Sequence, residues 1–227
     1  EEGTGQYAND SSQYGNNGTL GRNNGAASDD PVWNSTTKFG SFGMTFDGSN
    51  DFVNLTDSST FNFANDFMLE AWFLKSSSST TQGAIINKYD NLVGKGYVLL
   101  AGGSENIKFN VHDGTGATCG AAGSRNVDDG KWHHVAAKRI KGSYCAIFLD
   151  GVMDSNVSDN GNNIVYGTTS LTIGCGDDSR NPGCGPTTNT QPFNGTIDEV
   201  VLWNMSLSNE TIIEHYQLGW GYFNTSN

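Results

Sequence analysis

Positive charge is scarce in this 227-residue chain: 12 Lys and Arg stand against 24 Asp and Glu, giving a formal charge of −12. Such a surface repels nucleic acid and anionic membranes and is compatible with cation binding. No run of 18 apolar residues occurs, so no membrane-spanning helix is expected and the chain is not expected to insert into a bilayer. No cysteine pair has the close spacing that structural zinc needs. Paired carboxylates of the form E-x-D-x-x-E, suited to acid and nucleophile in glycoside hydrolysis, are also missing. Glu70 stands alone on its strand, and Asp198 and Glu199 are adjacent, which in a strand sends them to opposite faces. His133 and His134 are split in the same way, while His112 and His215 stand apart. No serine nucleophile motif and no phosphate-cradling glycine loop is present. These absences argue against an enzyme.

What the chain does have is turn chemistry and aromatic bulk. It carries 30 glycines, among many Asn, Ser and Thr, and its aromatics amount to 11%. That composition suits an all-β sandwich with many tight turns around one well-filled core. Strands are expected at Met44 to Phe46, Phe52 to Leu55, Phe67 to Lys75, Ala84 to Lys88, Tyr97 to Ala101 and Ile107 to His112. More are expected at Trp132 to Ile140, Tyr144 to Leu149, Leu171 to Ile173 and Thr196 to Trp203. In Phe67 to Lys75 both faces are largely apolar, so this strand is central and covered on both sides, or lines a groove. Lys141-Gly142 and Asp150-Gly151 mark tight turns. One helix is expected after Ser208, a capping residue. Glu210 sits in its first turn, Ile212, Ile213 and Tyr216 form an apolar stripe, and Gly219 ends it. The only low-complexity run, Ser76 to Thr81, is too short for a linker, so residues 1–227 read as a single domain.

Six strings then occur in a fixed order: DSSQYGNNGTL from Asp10, FDGSNDFVNL from Phe46, FMLEAWF from Phe67, DGKWHHVAAKR from Asp129, FLDGV from Phe148, and GTIDEVVLWNMSLSNETIIEHY from Gly195. In this order they resemble the laminin-G-like, concanavalin A-like lectin/glucanase domains, over almost the whole chain. The resemblance implies a two-sheet antiparallel jelly-roll sandwich with one short C-terminal helix. It also implies a structural calcium ion held by an N-terminal acid, a turn carbonyl and an acid on the last long strand, matching Asp10, Gly48 and Asp198. Domains of this kind usually begin with an aromatic strand just before the segment matching EEGTG. That strand is expected upstream of residue 1, leaving Thr196 to Trp203 with an open edge. An upstream segment, a fold-back of Trp220 to Phe223, or a strand from a neighbouring subunit could fill it.

Four cysteines allow three connectivities. Pairing Cys119 with Cys145 would tie neighbouring strand ends, and pairing Cys175 with Cys184 would staple a turn-rich loop. Asn-X-Ser/Thr triplets begin at Asn9, Asn17, Asn34, Asn54, Asn156, Asn194, Asn204, Asn209 and Asn224. With paired cysteines they favour an extracellular or cell-surface glycoprotein. Candidate ligand-binding residues are the aromatics Trp72, Tyr89 and Tyr97 and the rim residues Asp113, Asp128, Asp177, Asp178 and Arg180. The leading expectation is a non-catalytic recognition or adhesion module whose partner is a glycan or surface glycoprotein. The alternatives are a structural subunit of a surface layer or filament that binds its own neighbours, and an accessory domain of a larger glycan-active enzyme.

Overall fold

The computed structural model describes residues 2–79, 81–103, 106–176 and 190–219. The first strands are β1 (Tyr7–Ala8), β2 (Gly18–Leu20), β3 (Val32–Asn34), β4 (Gly43–Asp47) and β5 (Val53–Leu55). Five longer ones follow: β6 (Phe67–Lys75), β7 (Gly83–Asn87), β8 (Lys95–Ala101), β9 (Ile107–Asp113) and β10 (Ala117–Ala122). Next come β11 (Trp132–Ile140), β12 (Tyr144–Leu149) and β13 (Val152–Ser158). The last are β14 (Leu171–Ile173), β15 (Cys175–Gly176), β16 (Gln191–Pro192) and β17 (Asn194–Trp203), before helix α1 (Asn209–Leu218).

Two antiparallel sheets form the sandwich. Sheet A runs β1-β2-β5-β14-β7-β8-β9-β10, and sheet B runs β13-β12-β11-β6-β17-β4-β3. The β15–β16 ladder stands apart from both. Alternation decides what lies between the sheets. On β6, Phe67, Leu69, Ala71 and Phe73 enter the inter-sheet core, while Met68 belongs to a second cluster under α1 with Ala136, Ala146, Phe148 and Ile212. The expected double-sided burial of β6 therefore has two causes, the opposite sheet and the helix. Phe63 stacks on Phe67 at 4.9 Å and on Tyr97 at 5.6 Å, and Phe109 meets Phe67 edge-on. Such offset and edge-on pairs add to the burial of aromatic area.

Four expected strands have the expected bounds: β6, β11, β12 and β14. The rest are shifted by one to a few residues, and seven short or polar strands carried no clear pattern. The β12–β13 hairpin turns on Asp150 and Gly151, both at positive φ, as a tight hairpin requires. Helix α1 begins as expected: Ser208 Oγ accepts the Thr211 N–H at 3.1 Å, and Glu210 lies in the first turn. Its buried face differs from the expected stripe. Ile212 and His215 are buried, whereas Ile213 and Tyr216 are partly exposed. A polar node under the helix, described below, pulls the histidine inward.

Strand β17 is not a free edge over its first half. Gly195 to Ile197 pair with β4 on one side and β6 on the other. A bulge follows between Asp198 and Val201, with Glu199 at φ +49°. Past it, residues 201–203 pair with β6 and with no other strand among the described residues. The Trp220 to Phe223 segment lies outside the described residues.

Candidate functional site

The outer face of sheet A carries a shelf on β9. Its alternation sends Ile107, Phe109 and Val111 into the core and leaves Lys108, Asn110 and His112 half-buried on the other face. The register sets each of these beside a small residue on edge strand β10: Ala117 beside His112, Gly120 beside Asn110, Ala122 beside Lys108. All three small residues are exposed. On the other side lie Gly96, Val98 and Leu100 of β8. Gly96 is required there, because its φ is +96° and a Cβ would sit 1.9 Å from the Lys88 carbonyl. Tyr89 leans on the apolar cluster of Ala84, Val98 and Leu100 and packs against the His112 ring at 4.5 Å.

Burial lowers the pKa of His112, a trend that Lys108 reinforces and Asp113 opposes, so its imidazole is neutral at pH 7. Burial, with the Asp90 charge, raises that of Tyr89 and keeps the phenol protonated. Among the described residues no hydrogen-bond partner engages the Tyr89 hydroxyl, the His112 ring nitrogens or the Asn110 amide. The shelf thus offers an aromatic face and several unspent donors and acceptors on a shallow floor.

The outer face of sheet B is closed. Glu70 of β6 is 3% exposed and accepts three hydrogen bonds from three elements. His134 Nε2 of β11 approaches to 2.8 Å, His215 Nδ1 of α1 to 2.9 Å, and Trp203 Nε1 of β17 to 3.0 Å. Burial opposes ionisation here, but the bonds and charge of His134 and His215 outweigh it, and Glu70 is held down at about 2. Trp72 is 3% exposed, stacked by Tyr216 at 5.8 Å, met edge-on by Phe39 and capped by the Lys38 ammonium at 4.6 Å. A small recess between Glu70, Trp72, His134, Glu199, Val201 and His215 remains beside the helix.

Several expected residues are therefore relocated. Trp72 is covered by the helix and is no stacking platform. Tyr97 is fully buried between the sheets, its hydroxyl donating to the Phe61 carbonyl. Asp113 is spent on its own turn, accepting from Thr115, Gly116 and Asn162, and Asp128 pairs with buried Lys75 at 3.0 Å. Tyr89 alone of the three aromatics stays accessible. Asp177, Asp178 and Arg180 lie outside the described residues. His112 and Asn110 were missed, although the period-2 pattern of IKFNVHD puts both on the outward face.

The calcium set does not converge. Asp10 sits in the loop between β1 and β2 of sheet A, its oxygens taken by Ser12 and Asn16. Asp198 sits in sheet B and accepts the backbone N–H groups of Lys38, Phe39 and Glu199. Gly48 follows Asp47, which pairs with Asn194, so it stands about 13 Å from Asp198 along the strand. Among the described residues the one group of three His, Cys or acidic side chains whose ligand atoms all lie within 4.8 Å of one another is Cys119, Cys145 and Asp159, and both sulfurs belong to a disulfide. These positions do not fit one calcium cage.

The Cys119–Cys145 disulfide spans 6.2 Å between Cα atoms and ties β10 of sheet A to β12 of sheet B. Cys175 is buried against Phe52, and Cys184, its expected partner, lies outside the described residues.

No curated protein matches the sequence. Solved structures match the fold. The binding domain of Paraclostridial Mosquitocidal Protein 1 superposes with a TM-score of 0.67 at 14% identity, over 92% of this chain and 49% of that one. The binding domain of botulinum neurotoxin DC, solved with rat synaptotagmin II, gives 0.67 at 14% over 92% and 48%. A botulinum neurotoxin type C structure, from work tying cell entry to two ganglioside molecules, gives 0.63 at 14% over 90% and 47%. The chain spans about half the length of each, and at this identity the likeness is one of fold. The sequence of residues 47–213 matches the Laminin G 3 model, and with the two-sheet sandwich around it the chain belongs to the concanavalin A-like lectin/glucanases superfamily.

Proposed function

We propose that the protein is a non-catalytic recognition module that binds glycan on the outer face of sheet A. The observation carrying this reading is the accessible Tyr89–His112 ring pair, 4.5 Å apart, beside the unspent Asn110 amide. A pyranose ring offers apolar C–H faces to an aromatic and hydroxyls to amide and imidazole groups. The small residues of β10 leave the floor open to a flat ligand. Support also comes from the neighbours, which are binding domains, one of them solved in work on ganglioside-dependent entry. Exposure of such a face to glycans requires export, in keeping with the Cys119–Cys145 disulfide.

The test is a glycan array followed by calorimetry on the best ligand. Tyr89→Ala and Asn110→Ala should each abolish or strongly weaken binding while the far-ultraviolet circular dichroism stays unchanged. Glycan affinity that stays at the wild-type value after both substitutions sinks this assignment of the site.

A further inference from the structure

Among the described residues β13 is an outer strand of sheet B, laddered to β12 on one side only, and at seven residues it is longer than the other terminal strands β1, β3 and β10. A bare edge of this kind is a template for pairing with another chain. Protection is confined to its middle, where a bulge at Asp154 interrupts the pairing with β12 and the 124–125 loop is held against the strand. The strand reads VMDSNVS, with no Lys, Arg or Pro. Its one charge, Asp154, is engaged by Ser124 and the Arg125 N–H. Val152 and Met153 are 59% and 41% exposed. By contrast, the edge of β10 is partly closed by Asn160, whose N–H donates to the Thr118 carbonyl.

One feature of β13 remains: Asn156-Val157-Ser158, a glycosylation sequon inside the strand. The structure separates the sequons by whether Nδ2 can be reached. Asn34 donates its Nδ2 to Thr45, and Asn9 donates to Glu2. Asn54 is half-buried in the middle of sheet A between β2 and β14. Asn194 packs on Gly48, and Asn209, half-buried at the start of α1, accepts the Lys138 ammonium through Oδ1 and so keeps Nδ2 unspent, but on a helix. Asn156 is exposed, pairs with Ala146, and makes no side-chain hydrogen bond among the described residues. Exposed Asn17 and Asn204 also keep Nδ2 available, but both lie in loops.

We propose that Asn156 is an N-glycosylation site whose glycan shields the open edge of β13 against strand pairing with a second copy of this chain. The transfer joins Asn156 Nδ2 to the anomeric carbon of an oligosaccharide and breaks that carbon's bond to the pyrophosphate of a polyprenyl carrier. Carrier pyrophosphate and the amide proton leave. The inference shares with the proposed function the need for export, but its readouts do not involve ligand binding by Tyr89.

The experiment secretes the full chain from eukaryotic cells and maps glycopeptides by mass spectrometry. Intact mass and sedimentation velocity are then compared for wild type, Asn156→Gln and Ser158→Ala. The second variant removes the sequon and keeps the asparagine. Expected are a sugar-bearing Asn156 peptide, the loss of one glycan's mass in both variants, and a concentration-dependent shift of both from monomer to dimer and larger species. An unmodified Asn156 peptide overturns the proposal. So do two variants that have lost the glycan and still sediment like wild type.

Discussion

The two outer faces of the sandwich hold similar side chains and put them to opposite use. Each pairs a histidine with a large aromatic: His134 with Trp72 on sheet B, His112 with Tyr89 on sheet A. On sheet B helix α1 lies over the pair, and the carboxylate of Glu70 satisfies the polar groups the helix buries. On sheet A the pair is left half-open beside a strand of small residues. Residue type alone therefore does not mark a binding face. What separates the two is whether another element is pinned over it.

Breaking that pin should have the largest effect. Glu70→Ala strands His134, His215 and Trp203 together, and removing one partner from a buried charged network costs about 3–5 kcal/mol. Urea unfolding should read the full loss, whereas Tyr89→Ala on the open face should cost about 1 kcal/mol or less. Equal losses from the two substitutions would erase the distinction between the faces. The disulfide should come next. Cys119→Ala with Cys145→Ala removes the covalent link between the sheets, and about 2–4 kcal/mol should go with it.

A matched pair of substitutions sharpens the contrast. Trp72→Ala empties a buried site and should cost about 3–5 kcal/mol of stability, with no direct effect on ligand. Tyr89→Ala should do the reverse, leaving the fold intact and weakening glycan about tenfold, or 1.4 kcal/mol. A Trp72→Ala protein that folds like wild type but loses its ligand would move the site to sheet B.

Much of the fold was legible because the long strands are coded by local pattern. FMLEAWFLK and WHHVAAKRI need no tertiary information to read as covered strands, and Ser208 and Gly219 bracket the helix by capping chemistry. Strand β13 was not legible, since VMDSNVS lacks alternation and holds its place only through pairing with β12. The site was legible in part. Tyr89 could be nominated by type, but Trp72, Tyr97 and Tyr89 differ only in what covers them, which no local pattern records. His215 looked isolated because Glu70, its partner, lies 145 residues away. The expected convergence of Asp10, Gly48 and Asp198 came from resemblance; in the structure Asp10 is held by its own loop, and Asp198 by the N–H groups of Lys38 and Phe39 from a distant part of the chain.

The smallest expected effect separates the faces by pH. Burial depresses His112, so its neutral form persists below the ordinary value of 6.5 and is lost on further acidification. A ligand hydroxyl donating to an imidazole nitrogen loses that acceptor when the ring is protonated, so glycan affinity should fall as pH drops through this range. By linkage His112 takes some stability with it as it protonates, but two other groups act in the opposite sense over the same range. His133, raised by Asp150 and Asp129 against the pull of burial, and Asp51, raised to about 6 by burial and the charges of Asp47, Asp30 and Asp29, both favour the folded state more once protonated. The Glu70 node responds lower down. Its folded pKa lies below the ordinary 4.5, so its contribution is complete above that value and fades as pH falls toward about 2. Calorimetry and unfolding curves collected between pH 7 and 3 should therefore lose binding first and stability second. In Glu70→Gln the acid limb of the stability profile should flatten while the binding profile keeps its midpoint. A binding midpoint that moves with Glu70 would mean that the two faces titrate as one unit.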